Sequence, residues 1–340
     1  MTQAASHYRG RRVLVTGGLG FIGSTLTRTL VAAGARVTIA DAMIPGCGGN
    51  PHNIQGIEDR VVVRLVDLRE RSLLDDLVRD QEVIFNLAGK ISHVDSMRDP
   101  DADLDNNCRA HLGLLEACRR VNPDTKVVYA GTRQVYGRPE YLPVDERHLV
   151  RPTDVNGINK AAGEAYHIVY NNAHGLRACS LRLTNVYGPR QLIDHSRQGF
   201  IGWFVRLALE DAEIQIYGDG RQVRDFVYVD DAVEAFLLAG ANDAANGQVL
   251  NVGGSEPIAH RDLVALLIDA AGTGRFTLVD WPSQRKAIDI GSFHADSTLI
   301  GQVLGWRPTT PLATGLARMV AFCREHWTHY VTNPGQAARL

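Results

Sequence analysis

The segment TGGLGFIGS (16–24) places Gly18, Gly20 and Gly23 in G-x-G-x-x-G spacing, and Gly17, Gly20 and Gly23 in G-x-x-G-x-x-G spacing. Either pattern alone is weak; its neighbours give it meaning. RVLVTGG (12–18) reads as a buried strand, and STLTRTLVAAG (24–34) as a helix stopped by glycine. A glycine turn between strand and helix lets the backbone approach a pyrophosphate, which then rests on the helix N-terminus. Gly17, Gly20, Phe21, Ile22 and Gly23 are the candidate residues of that cradle. Asp41 closes the next strand, RVTIAD (36–41), where a carboxylate can accept hydrogen bonds from adenine ribose hydroxyls. No Lys or Arg follows it closely, and its charge repels a 2′-phosphate. The pattern therefore points to NAD rather than NADP.

These residues need a sheet to hold them. RVVVRLVD (60–67), EVIFNLAG (82–89) and KVVYAG (126–131) read as further strands, with helical patterns over 72–80, 101–121 and 163–175. ACSLRLTNVYG (178–188) follows as a strand, and QVLNVGG (248–254) returns one more. Strands separated by helices of this length pair in parallel with right-handed crossovers, so the expected fold is an α/β doubly wound parallel sheet (Rossmann). Residues 190–224 and 255–330 are less regular and are expected to form a smaller C-terminal α/β substrate lobe. The expected division is a cofactor half over 1–188, a lobe over 189–330 and a tail over 331–340.

Composition removes several classes. The 340 residues are 45% hydrophobic and 22% charged, with a formal net charge of −2, which gives no footprint for nucleic acid or an anionic membrane. No apolar run reaches the roughly 18 residues of a membrane span. MTQAASHYRGRR at the start has no apolar core of a secretory signal. Cys47, Cys108, Cys118, Cys179 and Cys323 include no CxxC pair, so the expectation is free thiols in a reducing cytoplasm and no metal site.

Taken in order, TGGLGFIG, Asp67-Leu68, NLAG (86–89), SHVDSMRDP (92–100), Asn107, YAGTRQVYG (129–137), LRLTNVYGP (181–189) and YGDGRQVRDFVYVDD (217–231) resemble the extended short-chain dehydrogenase/reductase family, in its branch of nucleotide-sugar epimerases and dehydratases. The resemblance runs from about 11 to 320. It implies that Asp67 and Leu68 lie on the adenine side of NAD, that Leu87, Ala88 and Gly89 line the cofactor, and that the chain is a homodimer. Leu112, Leu115, Ala161, Ala165 and Val169 are the candidate dimer face, although they could equally lie on the sheet.

In that family a Ser or Thr, a Tyr and a Lys act on a sugar hydroxyl. Thr132 and Lys160 occupy the first and last positions, while Asn156 stands where the tyrosine is expected. An amide is no base near neutral pH. His93, Lys90, a water held by Asn156 and Thr132, Tyr136 or Tyr166 could take its place; the reaction could be substrate-assisted, or the chain an inactive relative. After the Thr, family 4,6-dehydratases carry acidic residues; here Arg133 and Gln134 follow, which disfavours dehydration. The resemblance assigns Asn185, Arg224 and Arg285 to a nucleotide-sugar diphosphate, and Gln198 and Lys90 are further substrate candidates. The implied function is an NAD-dependent epimerase, most simply a 4-epimerase of a UDP-sugar. Alternatives are a dehydrogenase or reductase with net NAD turnover, and a non-catalytic binding protein.

Overall fold

The computed structural model describes residues 3–254 and 256–335. Seven strands build the central sheet: β1 (Arg12–Thr16), β2 (Arg36–Asp41), β3 (Val61–Leu65), β4 (Val83–Asn86), β5 (Lys126–Thr132), β6 (Arg177–Leu183) and β7 (Val249–Val252). Every pairing is parallel, and the order is β3-β2-β1-β4-β5-β6-β7. The order reverses between β1 and β4, and in such sheets the crevice at this switch point takes the ligand.

Side-chain alternation explains why both faces are covered. Val13 and Val15 of β1 and Phe85 of β4 enter one core with Leu26, Leu30 and Phe236. Leu14 and Ile84 enter the opposite core with Leu77, Leu114 and Leu115. Period-two alternation of apolar residues on both faces is the pattern of a parallel sheet sandwiched by helices. After Tyr187 a further core forms from Ile201, Val205, Ile214, Leu263, Leu267 and Met319, built by the helices Phe200–Leu209, His260–Ala271 and Leu312–Glu325 and by paired strands Glu213–Tyr217 and Arg275–Val279.

Three expected elements differ in ways that matter to the site. The helix expected over 101–121 is three pieces, Pro100–Leu104, a π-helical turn Asp105–Arg109, and Ala110–Val121. The helix expected from 163 begins at Val155, capped by Asp154, whose side chain accepts from Gly157 N at 2.7 Å. Gly157 and two asparagines are poor helix formers, which hid this first turn; the cap supplies what propensity does not. The strand expected over 178–188 splits, so that Asn185–Tyr187 leaves the sheet to pair with Phe226–Tyr228. Leu115, offered as a dimer contact, is fully buried against the sheet. Cys108, Cys118, Cys179 and Cys323 are buried, Cys47 is half-buried, and all five are free thiols. Among the described residues no helix is long and apolar enough to cross a membrane.

Candidate active site

At the switch point a single cleft is lined by Gly17, Gly20, Phe21, Ile22, Gly23, Asp41, Asp67, Leu68, Leu87, Ala88, Gly89, His93, Thr132, Asn156, Lys160, Asn185 and Gln198. The sequence spreads these over more than 180 positions, and the parallel topology gathers them because every strand ends on this side. The glycine turn is sterically committed. Gly17 has φ +68°, and a Cβ on Gly23 would lie 2.2 Å from Gly17 O. The helix Phe21–Ala32 starts at Gly20 with no side-chain cap, so its first N–H groups remain available to an anion. Asp41 lines the cleft while accepting from Leu19 N at 3.0 Å and Met43 N at 2.9 Å. A carboxylate has about four lone-pair sites, so acceptor capacity remains.

Further in, Thr132 ends β5 and accepts from Gln134 N at 3.2 Å. Lys160 is buried; its Nζ donates to Ala130 O at 3.1 Å and sits 5.1 Å from the centre of the Tyr129 ring. Burial pushes its ammonium down to about 8, and Asp103 opposes that shift. The helix carrying Lys160 is pinned to β6 by Glu164, which pairs with Arg182 at 2.5 Å inside the core.

The amide nitrogen and backbone N–H of Asn156 are both engaged. Its Nδ2 donates to Lys90 O at 2.9 Å and to Asp103 Oδ2 at 3.0 Å, and its backbone N–H donates to Ser96 Oγ at 3.2 Å. Asn159 holds the other oxygen of Asp103 at 2.9 Å. His93 opens the helix His93–Arg98, and its Nδ1 lies 2.9 Å from Asp154 Oδ2.

Three substrate candidates stand outside the cleft lining. Lys90 meets Asn156 and Asn107 through its backbone. Arg224 is buried and turned to Gly291 O, Val223 O and Asp289. Arg285 is exposed on a short helix, 5.7 Å from the Tyr217 ring centre. Gln198 closes a 3-10 turn rather than opening a helix, and donates to Gly46 O at 2.7 Å. Tyr136 is buried with its hydroxyl on Asn251 Oδ1 at 2.7 Å, and Tyr166 packs on the opposite core, so neither lines the cleft.

Arg133 was read from sequence only as the absence of an acid. It lines the cleft beside Thr132, donates to Asn185 Oδ1 at 3.2 Å, and keeps Nη1 without a partner. It also lies near Arg224, whose Nε is likewise unpartnered and whose guanidinium is pushed down to about 9 by burial and then by Arg133. Two neighbouring guanidiniums, each with an unpartnered N–H, concentrate positive charge beside this end of the cleft. Asp154 was missed as well; an acid three residues before a helical glycine was its only local signal.

A doubly wound sheet with a glycine cradle and an uncapped helix at its switch point defines a dinucleotide-binding α/β protein. Residues 13–253 match the NAD dependent epimerase/dehydratase family, and the chain belongs to that family. A UDP-glucose 4-epimerase of Mycolicibacterium smegmatis is 35% identical over 315 residues, covering 92% of this chain and 98% of that protein. A dTDP-glucose 4,6-dehydratase of Streptomyces griseus is 33% identical over 324 residues, covering 92% and 94%. The structure of a UDP-glucuronic acid 4-epimerase from Bacillus cereus, in complex with UDP-glucuronic acid and NAD, has a TM-score of 0.82 at 29% identity, covering 92% of this chain and 99% of that one. The cofactor is NAD, and the glycine cradle with its uncapped helix fits a dinucleotide pyrophosphate.

Proposed function

We propose that this chain is a nucleotide-sugar epimerase that interconverts C4 epimers of a UDP-sugar through a transient keto sugar. One observation carries the reading: a single cleft joins the glycine cradle to Thr132 and Lys160 and continues to Asn185 and Arg133. NAD bound in this cleft would supply the hydride acceptor and donor for the sugar carbon. The chain supplies the rest. Gly17, Gly20, Gly23 and the helix N-terminus hold the pyrophosphate, and Asp41 holds the adenine ribose. Asp67 and Leu68 flank the adenine, and Leu87, Ala88 and Gly89 line the remaining cofactor wall. Lys160 holds the nicotinamide ribose, and Thr132 donates to the reacting oxygen. Arg133 supplies the positive end for the substrate anion and Asn185 an amide donor, while the buried Arg224 stands outside the lining and adds only its charge.

Epimerisation is preferred to 4,6-dehydration because Arg133 and Gln134 follow Thr132, and the Gln134 amide is spent on Asp154 at 2.8 Å. No carboxylic acid in that segment is placed to expel a C6 hydroxyl. The protein acts in the cytoplasm as a homodimer, through a face where Ile158, Ala165 and Val169 stand exposed on the helix Val155–His174; light scattering would give twice the chain mass. The functional test is cofactor accounting. The purified protein should retain NAD and leave it net unchanged during turnover. Accumulation of NADH in proportion to sugar consumed would instead mark a net dehydrogenase.

A further inference from the structure

Asn156 removes a base from the expected position, and the structure provides another around it. His93 lines the cleft with Thr132, Asn156 and Lys160. Its Nδ1 is buried and lies 2.9 Å from Asp154 Oδ2, an ion-pair contact without hydrogen-bond geometry. Asp154 is itself held firmly: Gln134 Nε2 donates to Oδ2 at 2.8 Å and Gly157 N donates to Oδ1 at 2.7 Å. A carboxylate this close to Nδ1 favours the tautomer with the proton on that nitrogen, which would leave Nε2 as the acceptor. The short helix that His93 opens is fixed by Asn156 itself. The amide grips Lys90 O at 2.9 Å, and the backbone N–H of Asn156 binds Ser96 Oγ, which donates to His93 O at 2.8 Å.

Of the competing groups, Tyr136 is spent on Asn251 and the side chain of Lys90 lies outside the cleft lining, while Lys160 donates to Ala130 O and keeps its other N–H groups for the nicotinamide ribose.

We propose that His93, oriented by Asp154, is the proton-transfer residue of this site and replaces the tyrosine whose place Asn156 takes; this rests on the epimerase reading above. The sugar O–H bond breaks as its proton passes to His93 Nε2, while the C–H electron pair leaves as hydride to NAD. The products are a keto sugar, an imidazolium and reduced cofactor. Hydride return to the opposite face and proton return to the oxygen restore all three. Asp154 and Gln134 are positioning residues, and Asn156 becomes the tether of that helix.

The test uses NAD-loaded wild type, His93→Ala, His93→Gln and Asp154→Asn with UDP-glucose, UDP-glucuronate and their N-acetylated relatives. Epimer formation is followed by NMR, and nucleotide affinity by titration with UDP. Both His93 variants should lose roughly 10²- to 10⁴-fold in turnover, the range of general acid–base catalysis, with bound NAD and UDP affinity preserved. Added imidazole should restore turnover to His93→Ala in proportion to its concentration. Asp154→Asn should lower turnover while UDP affinity holds. Wild-type turnover in His93→Ala overturns the proposal and leaves the epimerase reading standing. So does a loss that tracks UDP affinity and ignores imidazole. Failure of the wild type to epimerise any of these sugars overturns the epimerase reading, and the base assignment with it.

Discussion

An amide at position 156 takes no proton from a sugar, yet it holds two partners that a phenol could not hold together: the Lys90 carbonyl and the Asp103 carboxylate. Asn156→Tyr is therefore expected to damage the site rather than repair it. Asp103, which is buried, would lose one of its two amide donors, at a cost of about 1–3 kcal/mol. The thermal midpoint should fall and turnover should not rise. A gain of about tenfold or more would show that the tyrosine chemistry is still latent in the site. At this scale the sequence was half legible. The vacancy left by the tyrosine was visible four residues before Lys160. What the asparagine does was not, because Lys90, Ser96 and Asp103 are 66, 60 and 53 positions away. Arg133 was visible but read only by what it was not.

The elements that carry cofactor residues were the easiest to read. β2 spans Arg36–Asp41, matching the strand drawn from RVTIAD, and Asp41 lies at its end beside the cleft. The glycine turn was legible because its constraint is local: Gly23 faces Gly17 six residues away. Gly23→Ala tests that constraint directly. Its Cβ would sit 2.2 Å from Gly17 O, so the turn must open. The purified variant should hold NAD at least about tenfold more weakly, a loss of roughly 1.4 kcal/mol, measured by fluorescence titration. Unchanged affinity would mean that the pyrophosphate lies elsewhere. Less legible were elements whose shape depends on distant partners. The π-helical turn Asp105–Arg109 presents Asn107 Oδ1 to Lys90 N at 3.1 Å, and no periodicity marks such a turn. The first turn of the helix Val155–His174 was hidden by its own glycine and asparagines. Arg224 and Arg285 show the limit of motif matching: the motif named the residues, but local pairing with Asp289 and the exposed position above Tyr217 decided where they point.

Across the whole molecule, the sheet is stitched below the site by buried polar groups with consequences for pH. Asn86 Nδ2 contacts His111 Nδ1 at 3.0 Å and His167 Nε2 at 3.2 Å, and both imidazoles are fully buried. Burial pushes His167 down to about 4 and His111 well below the ordinary histidine value. Unfolded histidines bind protons near pH 6.5, so between there and about pH 4 the unfolded chain takes up protons that the folded chain refuses. Stability must fall as pH falls through this window, by up to about 1.4 kcal/mol per pH unit for each histidine. Urea midpoints from pH 7 to 5 should show a shallower acid-side decline in His167→Gln than in wild type; equal slopes would contradict the burial argument. The doubly wound architecture was legible from the alternation of strands and helices alone. The separate core after Tyr187 was foreseen only as a looser region, because its short paired strands lack a strong pattern.

The most direct measurement is of the reaction itself. The protein with its retained NAD is mixed in deuterated buffer with UDP-glucose, UDP-galactose, UDP-glucuronate and their N-acetylated relatives, and the sugar protons are followed by NMR with absorbance near 340 nm. A new C4 epimer is expected, with protium kept at C4 because the hydride never exchanges with solvent, and with no net rise in absorbance. Deuterium at the inverted carbon, lasting absorbance growth, or silence from every sugar despite binding would each contradict a hydride-recycling epimerase.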